Sequence, residues 1–152
     1  MTADSGHSGF TLDDANELRR AIGDSVRAIR RSETTPEGQL EVLGFLARDG
    51  AYSIAALARL RRVRHQTMRL TIADLETEGL VERSPDPSDA RGVLVSLTEA
   101  GREVITQSRA QRSARLLAAA ETALTPAERA VLTRAAAALD KLTAALLDDE
   151  TA

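Results

Sequence analysis

Between residues 59 and 69 the chain carries five arginines, Arg59, Arg61, Arg62, Arg64 and Arg69, and no acidic side chain, although 23 Asp and Glu residues occur elsewhere. Guanidinium groups spaced this closely build a local positive field, even though the formal net charge of the whole chain is -3. His65, Gln66 and Thr67 lie among them, and together these types can bond phosphate oxygens and the edges of bases. Arginine forks onto guanine, and Gln66 offers adenine a bidentate pair. A further arginine, Arg91, stands in the turn-rich stretch 84–92. Arginine content alone is not the signal. Of 20 basic residues only Lys141 is lysine, a bias that a GC-rich coding sequence also produces. The competing interpretation of the run is a solvated helix face with incidental charge, and the surrounding elements have to decide between the two.

Composition removes most other chemistry. With no cysteine there is no disulfide, thiolate nucleophile, cysteine-ligated zinc or thiol redox switch. The two histidines, His7 and His65, are far apart, so neither a metal site nor a catalytic dyad is expected. No cofactor is implied. Ser53, Thr67 and the scattered carboxylates have no base, glycine-rich phosphate loop or metal motif beside them, which argues against an enzyme. Aromatics make up 2% of the residues, too few for base stacking on single strands. No apolar run approaches the roughly 20 residues that cross a bilayer, and the N-terminus lacks the blocks of a signal peptide. A cytoplasmic protein without a membrane partner is expected.

The 152 residues suit one small domain with added helices for self-association. Residues 1–10 read as a flexible tail. Thr11 and Asp14 have capping-box spacing, and Leu18, Ile22, Val26 and Ile29 then form a narrow apolar stripe to about Arg31, fit for packing against a neighbour such as a partner chain. Thr35 as N-cap and Pro36 at the first helical position open a second helix through Leu40, Leu43 and Leu46, ended by Gly50. Ser53 caps a short third helix through Ile54, Leu57 and Leu60. After a break near residues 61–63, a fourth helix runs from about His65 with Met68, Ile72 and Leu75 buried and Gly79 as its left-handed cap. The stretch from Leu80 to Leu97 reads as a β-hairpin with a long exposed tip over residues 84–92. Thr98 caps a long fifth helix, and Thr125-Pro126-Ala127-Glu128 is a capping box opening a sixth, striped by Leu132, Leu139, Leu142 and Leu146. Asp148, Asp149 and Glu150 oppose the helix dipole at its end, where fraying is expected.

A helix, a tight turn, a basic second helix and a hairpin make a winged helix-turn-helix. The segment 53–101 resembles the core of MarR-family transcriptional regulators. The resemblance rests on Ser53-Ile54-Ala55-Ala56-Leu57-Ala58, on Leu75-Glu76-Thr77-Glu78-Gly79-Leu80-Val81, and above all on the wing. There Asp89-Ala90-Arg91 precedes a strand and Leu97-Thr98-Glu99-Ala100-Gly101. The family plan implies a mainly α fold with a small β-hairpin wing: a winged core (35–98) flanked by an N-terminal dimerisation helix (11–34) and C-terminal dimerisation helices (99–152). It also implies that Arg64, His65, Gln66, Thr67 and Arg69 face the major groove, that Arg91 enters the minor groove or grips its rim, and that Asp89 holds Arg91. With Ser53, Arg61 and Arg62 added at the corner, these form the candidate DNA-contacting set. Leu18, Ile22, Leu132, Leu139, Leu142 and Leu146 form the candidate dimerisation set.

Two departures from the family pattern stand out. Where the family often has Gly in the turn and a Ser or Asn cap, this chain has Arg62, Val63 and Arg64, so strain and an uncapped helix are expected there. Ala90 fills a wing position that is often basic.

The expected function is a homodimeric, sequence-specific DNA-binding regulator, in this family most often a repressor, on a pseudo-palindromic operator in double-stranded DNA. A small-molecule effector between the dimerisation helices and the winged module would release it. Leu18, Ile22, Leu43 and Leu46 are candidates to line that pocket, with plain core packing the competing role. The alternative is a winged-helix architectural or protein-interaction module without sequence-specific recognition.

Overall fold

The computed structural model describes residues 9–31 and 33–149; His7, the first eight residues of the expected tail and Glu150 lie outside it. Six helices and three strands follow in order: α1 (Leu12–Arg30), α2 (Glu37–Asp49), β1 (Tyr52–Ser53), α3 (Ile54–Leu60), α4 (His65–Thr77), β2 (Val81–Asp86), β3 (Asp89–Leu97), α5 (Glu99–Ala123) and α6 (Pro126–Asp149). The chain forms two compact units, divided within α5 between Arg112 and Ser113.

The first unit holds the core. Val42, Leu43, Leu57, Met68, Ile72, Leu75 and Val95 are fully buried, and Leu40, Leu46, Ala58, Leu80, Val81, Leu97 and Ile105 complete the cluster. These come from α2, α3, α4, the sheet and the start of α5, so one aliphatic core fixes every element of the winged module. The sheet is antiparallel in the order β1-β3-β2. The sequence reading missed β1, because Tyr52 and Ser53 are too short a run to show alternation; Tyr52 pairs with Val95 and Ser53 with Leu94. It also overstated the wing's tip. β2 and β3 pair from Val81 opposite Leu97 to Asp86 opposite Asp89, with an irregularity at residues 85–86, leaving only Pro87 and Ser88 between the strands. Pro85 is tolerated because it lies in an edge strand, where no ladder bond from its nitrogen is needed.

The caps follow the sequence closely. Thr11 Oγ1 accepts from the Asp14 N–H and Asp14 accepts from the Thr11 N–H, a complete capping box. The hydrogen bonds from Thr11 hold the Asp14 carboxyl below its ordinary pKa. Thr125 and Glu128 repeat the arrangement at α6, and there too the bonds from Thr125 lower the carboxyl pKa. At α2 the expectation is off by one position: Pro36 itself is the N-cap, no side chain caps the helix, and the Gln39 and Leu40 N–H groups bond the Pro36 carbonyl. Proline's fixed φ suits this boundary without a hydroxyl acceptor.

The Leu97-Thr98-Glu99-Ala100-Gly101 motif locks α5 onto the end of α4. Thr98 Oγ1 donates to the Gly79 carbonyl at 2.7 Å and accepts from the Gly101 N–H at 3.1 Å, while the Thr98 N–H bonds the Leu80 carbonyl at 3.2 Å. A Cβ on Gly101 would lie 2.1 Å from the Leu80 carbonyl oxygen, so glycine is the residue that lets the two backbones meet. Gly79 itself has φ +71, the left-handed cap expected of it.

Farther along α5, Glu33 from the α1–α2 connection accepts from Arg112 Nε at 2.5 Å and from Ser108 Oγ at 2.9 Å. The Glu33 side chain is only 12% exposed. Burial pushes its pKa up, but the bonds from Arg112 and Ser108 and the charges of Arg112 and Arg30 outweigh that and leave it lowered. Among the described residues no helix is long and apolar enough to cross a membrane, and no group of three or more His, Asp or Glu side chains could hold a metal ion.

Candidate nucleic-acid interface

The interface begins with α3, where Ser53 Oγ accepts from the Ala56 N–H at 3.2 Å. Ser53 is half-buried, and its hydroxyl is engaged in this cap. The connection to α4 is tight: the Arg61 N–H bonds Leu57 O, that of Arg62 bonds Arg59 O, and that of Val63 bonds Ala58 O. Arg62 has φ +52, the one non-glycine residue with positive φ among the described residues. Arg64 is the N-cap of α4 and provides no side-chain cap bond. Both consequences of the unusual turn sequence are therefore present.

Within the arginine run the roles divide. Arg61 is half-buried, and its Nε donates to Glu41 Oε2 at 2.9 Å, tying the turn back to α2. Gly38 makes room for it, since a Cβ there would stand 2.9 Å from Arg61 Nη2. Arg61 thus acts as a brace inside the module rather than presenting its head to the outside. Arg59, Arg62, Arg64 and Arg69 are exposed. On α4, Met68, Ile72 and Leu75 are fully buried; Gln66 lies opposite them, Thr67 and Arg69 stand on the flanks, and His65, on the buried stripe but one turn ahead of Met68 at the open end of the helix, is exposed as well. An N-terminal half of this kind, polar, exposed and lacking acidic residues, is what an element entering a groove about 12 Å wide requires.

The wing is braced at both ends. Arg83 on β2 pairs with Glu76 near the end of α4 at 3.0 Å, linking the hairpin to the helix it must accompany. At the tip, Asp86 accepts from the Ser88 hydroxyl at 2.6 Å and the Ser88 N–H at 2.8 Å, and these bonds lower the Asp86 pKa. Asp89 Oδ1 accepts from the backbone N–H of Arg91 at 2.9 Å. The expected hold of Asp89 on Arg91 is therefore a backbone turn rather than a grip on the guanidinium, and the Arg91 head is exposed. A carboxylate two residues away reaches the near N–H more easily than a guanidinium that extends outward.

Reading the sequence alone did not single out Arg83 or Glu76. Each is one charge among many, and only the fold brings them together.

A cavity of about 650 Å³ lies in the same unit, lined by residues from α1, α2, α3 and α5 that include Arg30, Arg48, Arg61, Arg109 and Arg112. Leu18, Ile22, Leu43 and Leu46 do not line it. Leu43 and Leu46 are core residues, because the α2 stripe that carries them faces the sheet and α4.

The candidate dimerisation residues stand outside this core. Leu18 and Leu139 are half-buried, whereas Ile22 (38%), Leu132, Leu142 and Leu146 are exposed. α1 has no buried residue, and among the described side chains α6 has none either.

A helix-turn-helix pair, a second helix with an exposed polar N-terminal half and a β-hairpin wing define a winged helix-turn-helix DNA-binding protein. The MarR family profile matches residues 33–92, from the loop before α2 to the wing. The chain is 38% identical over 125 residues to the HTH-type transcriptional regulator MT0903.1 of Mycobacterium tuberculosis, spanning 80% of this chain and 87% of the relative. A putative transcriptional regulator of Pseudomonas aeruginosa superposes with a TM-score of 0.77 at 31% identity, covering 88% of this chain and 97% of the other. The reduced form of MarR from E. coli superposes with a TM-score of 0.67 at 26% identity, over 80% and 95%. The chain belongs to the MarR family of HTH-type, DNA-binding transcriptional regulators.

Proposed function

We propose that this regulator binds as a homodimer to a pseudo-palindromic operator, represses transcription by occupying it, and is released by a small-molecule effector. One observation carries the DNA-binding geometry. α4 buries its apolar side completely and leaves Arg64, His65, Gln66, Thr67 and Arg69 exposed, without an ion pair among the described residues. In this reading α4 lies in the major groove, Arg62 and Arg59 meet flanking phosphates, and Arg91 reaches the minor groove or its rim. Arg61 braces the turn from behind through Glu41, and Ser53 caps the start of α3.

The homodimer is supported by apolar side chains on α1, α5 and α6 that the described chain does not cover, among them Leu12, Val26, Leu116, Leu132 and Leu146. A second copy covering them would set two α4 helices at a fixed spacing, roughly 34–36 Å for half-sites one helical turn apart. Occupancy of a promoter by such a dimer excludes the transcription machinery, which is the simplest route to repression.

The effector is placed in the 650 Å³ cavity, whose lining brings together six arginines and three glutamates. Arg30, Arg61 and Arg112 are ion-paired with Glu37, Glu41 and Glu33, and Arg48 with Asp49, so among the described residues the cationic side chain offered to a ligand is that of Arg109. This suits a small molecule with an anionic group, and binding there would move α2 relative to α5 and so change the α4 spacing.

The test is fluorescence anisotropy of the full-length protein on duplex DNA from its own upstream region and on a scrambled duplex, at two salt concentrations. Preference for the native duplex by at least about a thousandfold is expected. Equal, steeply salt-dependent binding to both would replace this reading with an architectural role, and no binding to either would favour a protein partner.

A further inference from the structure

On α4 the exposed positions centre on a residue that is not polar. Leu70 is 59% exposed, while Met68, Ile72 and Leu75 on the opposite side are fully buried. At 100° per residue Leu70 points almost directly away from that buried trio, with Gln66 one turn before it and Ala73 and Thr77 after it on the same side. The apolar side of the helix is already satisfied, so Leu70 contributes nothing to the core. It is held out in the middle of the face that the proposed function places in the major groove.

A base pair offers such a side chain one apolar feature in that groove, the 5-methyl group of thymine. Gln66, next to Leu70 on the face, is the residue type that pairs bidentately with adenine, and Ala73 leaves the space beyond Leu70 open. Resting on the reading of α4 as the groove-facing helix, we infer that Leu70 is a specificity-determining residue that packs against a thymine methyl group in each half-site. The α4 code is then hydrogen bonding at Gln66 and Arg69 and methyl recognition at Leu70, which favours half-sites with an A·T step under the centre of the helix.

The test enriches duplexes from a random-sequence library with the full-length protein and, in parallel, with Leu70→Ala. The wild type should enrich a motif with one invariant thymine per half-site, and that position should become degenerate with Leu70→Ala. Replacing this thymine by deoxyuridine, which removes the methyl group and nothing else, should weaken wild-type binding about fourfold per half-site, the value of burying one such group. The same replacement should leave Leu70→Ala unchanged. A motif in which no thymine is sensitive to deoxyuridine, or one equally sensitive in both proteins, overturns the inference. If Gln66→Ala or Arg69→Ala still blurs that motif, the groove-facing assignment of α4 survives the loss. Failure to enrich any motif overturns both.

Discussion

α1 and α4 are both amphipathic helices of the same compact unit, but their apolar sides meet different fates. α4 buries Met68, Ile72 and Leu75 without residue, whereas α1 buries nothing: Leu18 and Ile29 are half covered, and Ile22 and Val26 are exposed. The difference separates two kinds of surface. A helix whose apolar side is covered by its own chain has its polar side free for a ligand. A helix whose apolar side is left uncovered needs another chain, because exposed aliphatic stripes are worth roughly 25 cal/mol per Å² when removed from water. α6 belongs with α1.

The most severe way to break this contrast is to charge the uncovered helices. Leu139→Glu combined with Leu142→Glu is expected to abolish the dimer at micromolar concentration, read by sedimentation equilibrium, and to abolish operator binding with it. A stable monomer that binds the operator with undiminished affinity would show that these helices have another purpose. Next in size is Gly101→Ala, where the new Cβ would sit 2.1 Å from the Leu80 carbonyl oxygen. Backbone cannot yield as a side-chain tip can, so a loss of about 3 kcal/mol in denaturant unfolding is expected. An unchanged midpoint would mean that α5 is free to slide on the α4–β2 corner.

Arg91→Ala tests the ligand-facing side. Its guanidinium is exposed, so the melting temperature should hold while operator affinity falls roughly tenfold, measured by anisotropy. Unfolding instead would make Arg91 a structural residue. Smaller again is the Glu33 latch onto α5. Its pKa is lowered in the folded protein, so its stabilisation is complete above the ordinary value of 4.5 and is lost as pH falls through the lower folded value. Glu33→Gln should therefore lower the melting temperature at pH 7 and flatten its decline in acid; a parallel acid limb in both proteins would place the pH sensitivity elsewhere.

How much was legible in the chain follows from how local each signal is. Caps and helix ends were readable because Thr11, Ser53, Thr98 and Thr125 act on atoms three residues away and Gly79 acts on its own φ. The buried trio of α4 was readable from periodicity. β1 was not, since its two residues become a strand only by pairing with Val95 and Leu94, more than forty positions later. The division within the arginine run was hidden for the same reason. Arg61 turns inward because Glu41 and the open space at Gly38 receive it, and neither shows in the spacing of residues 59–69. At Asp89 the spacing to Arg91 was legible, but that its carboxylate meets the backbone N–H of Arg91 rather than the more distant guanidinium shows only in the fold.

The corner at Arg62 ties the fold to the ligand most closely. Its φ of +52 is a conformation that costs a non-glycine residue on the order of 1 kcal/mol or more, and the family pattern relieves that cost with glycine. If stability alone shaped this turn, Arg62→Gly would be an improvement, reduced by the extra freedom glycine has in the unfolded chain. The expected stability change is thus within about 1 kcal/mol in either direction. The expected change in DNA binding is different in kind. Each phosphate contact adds about 0.9 to the slope of log affinity against log salt, so losing the contact proposed for Arg62 should flatten that slope by roughly 2 for a dimer. A flatter slope at unchanged stability would mean that the strained residue is retained for its charge; an unchanged slope would assign Arg62 to the turn alone and leave the phosphates to Arg59, Arg64 and Arg69.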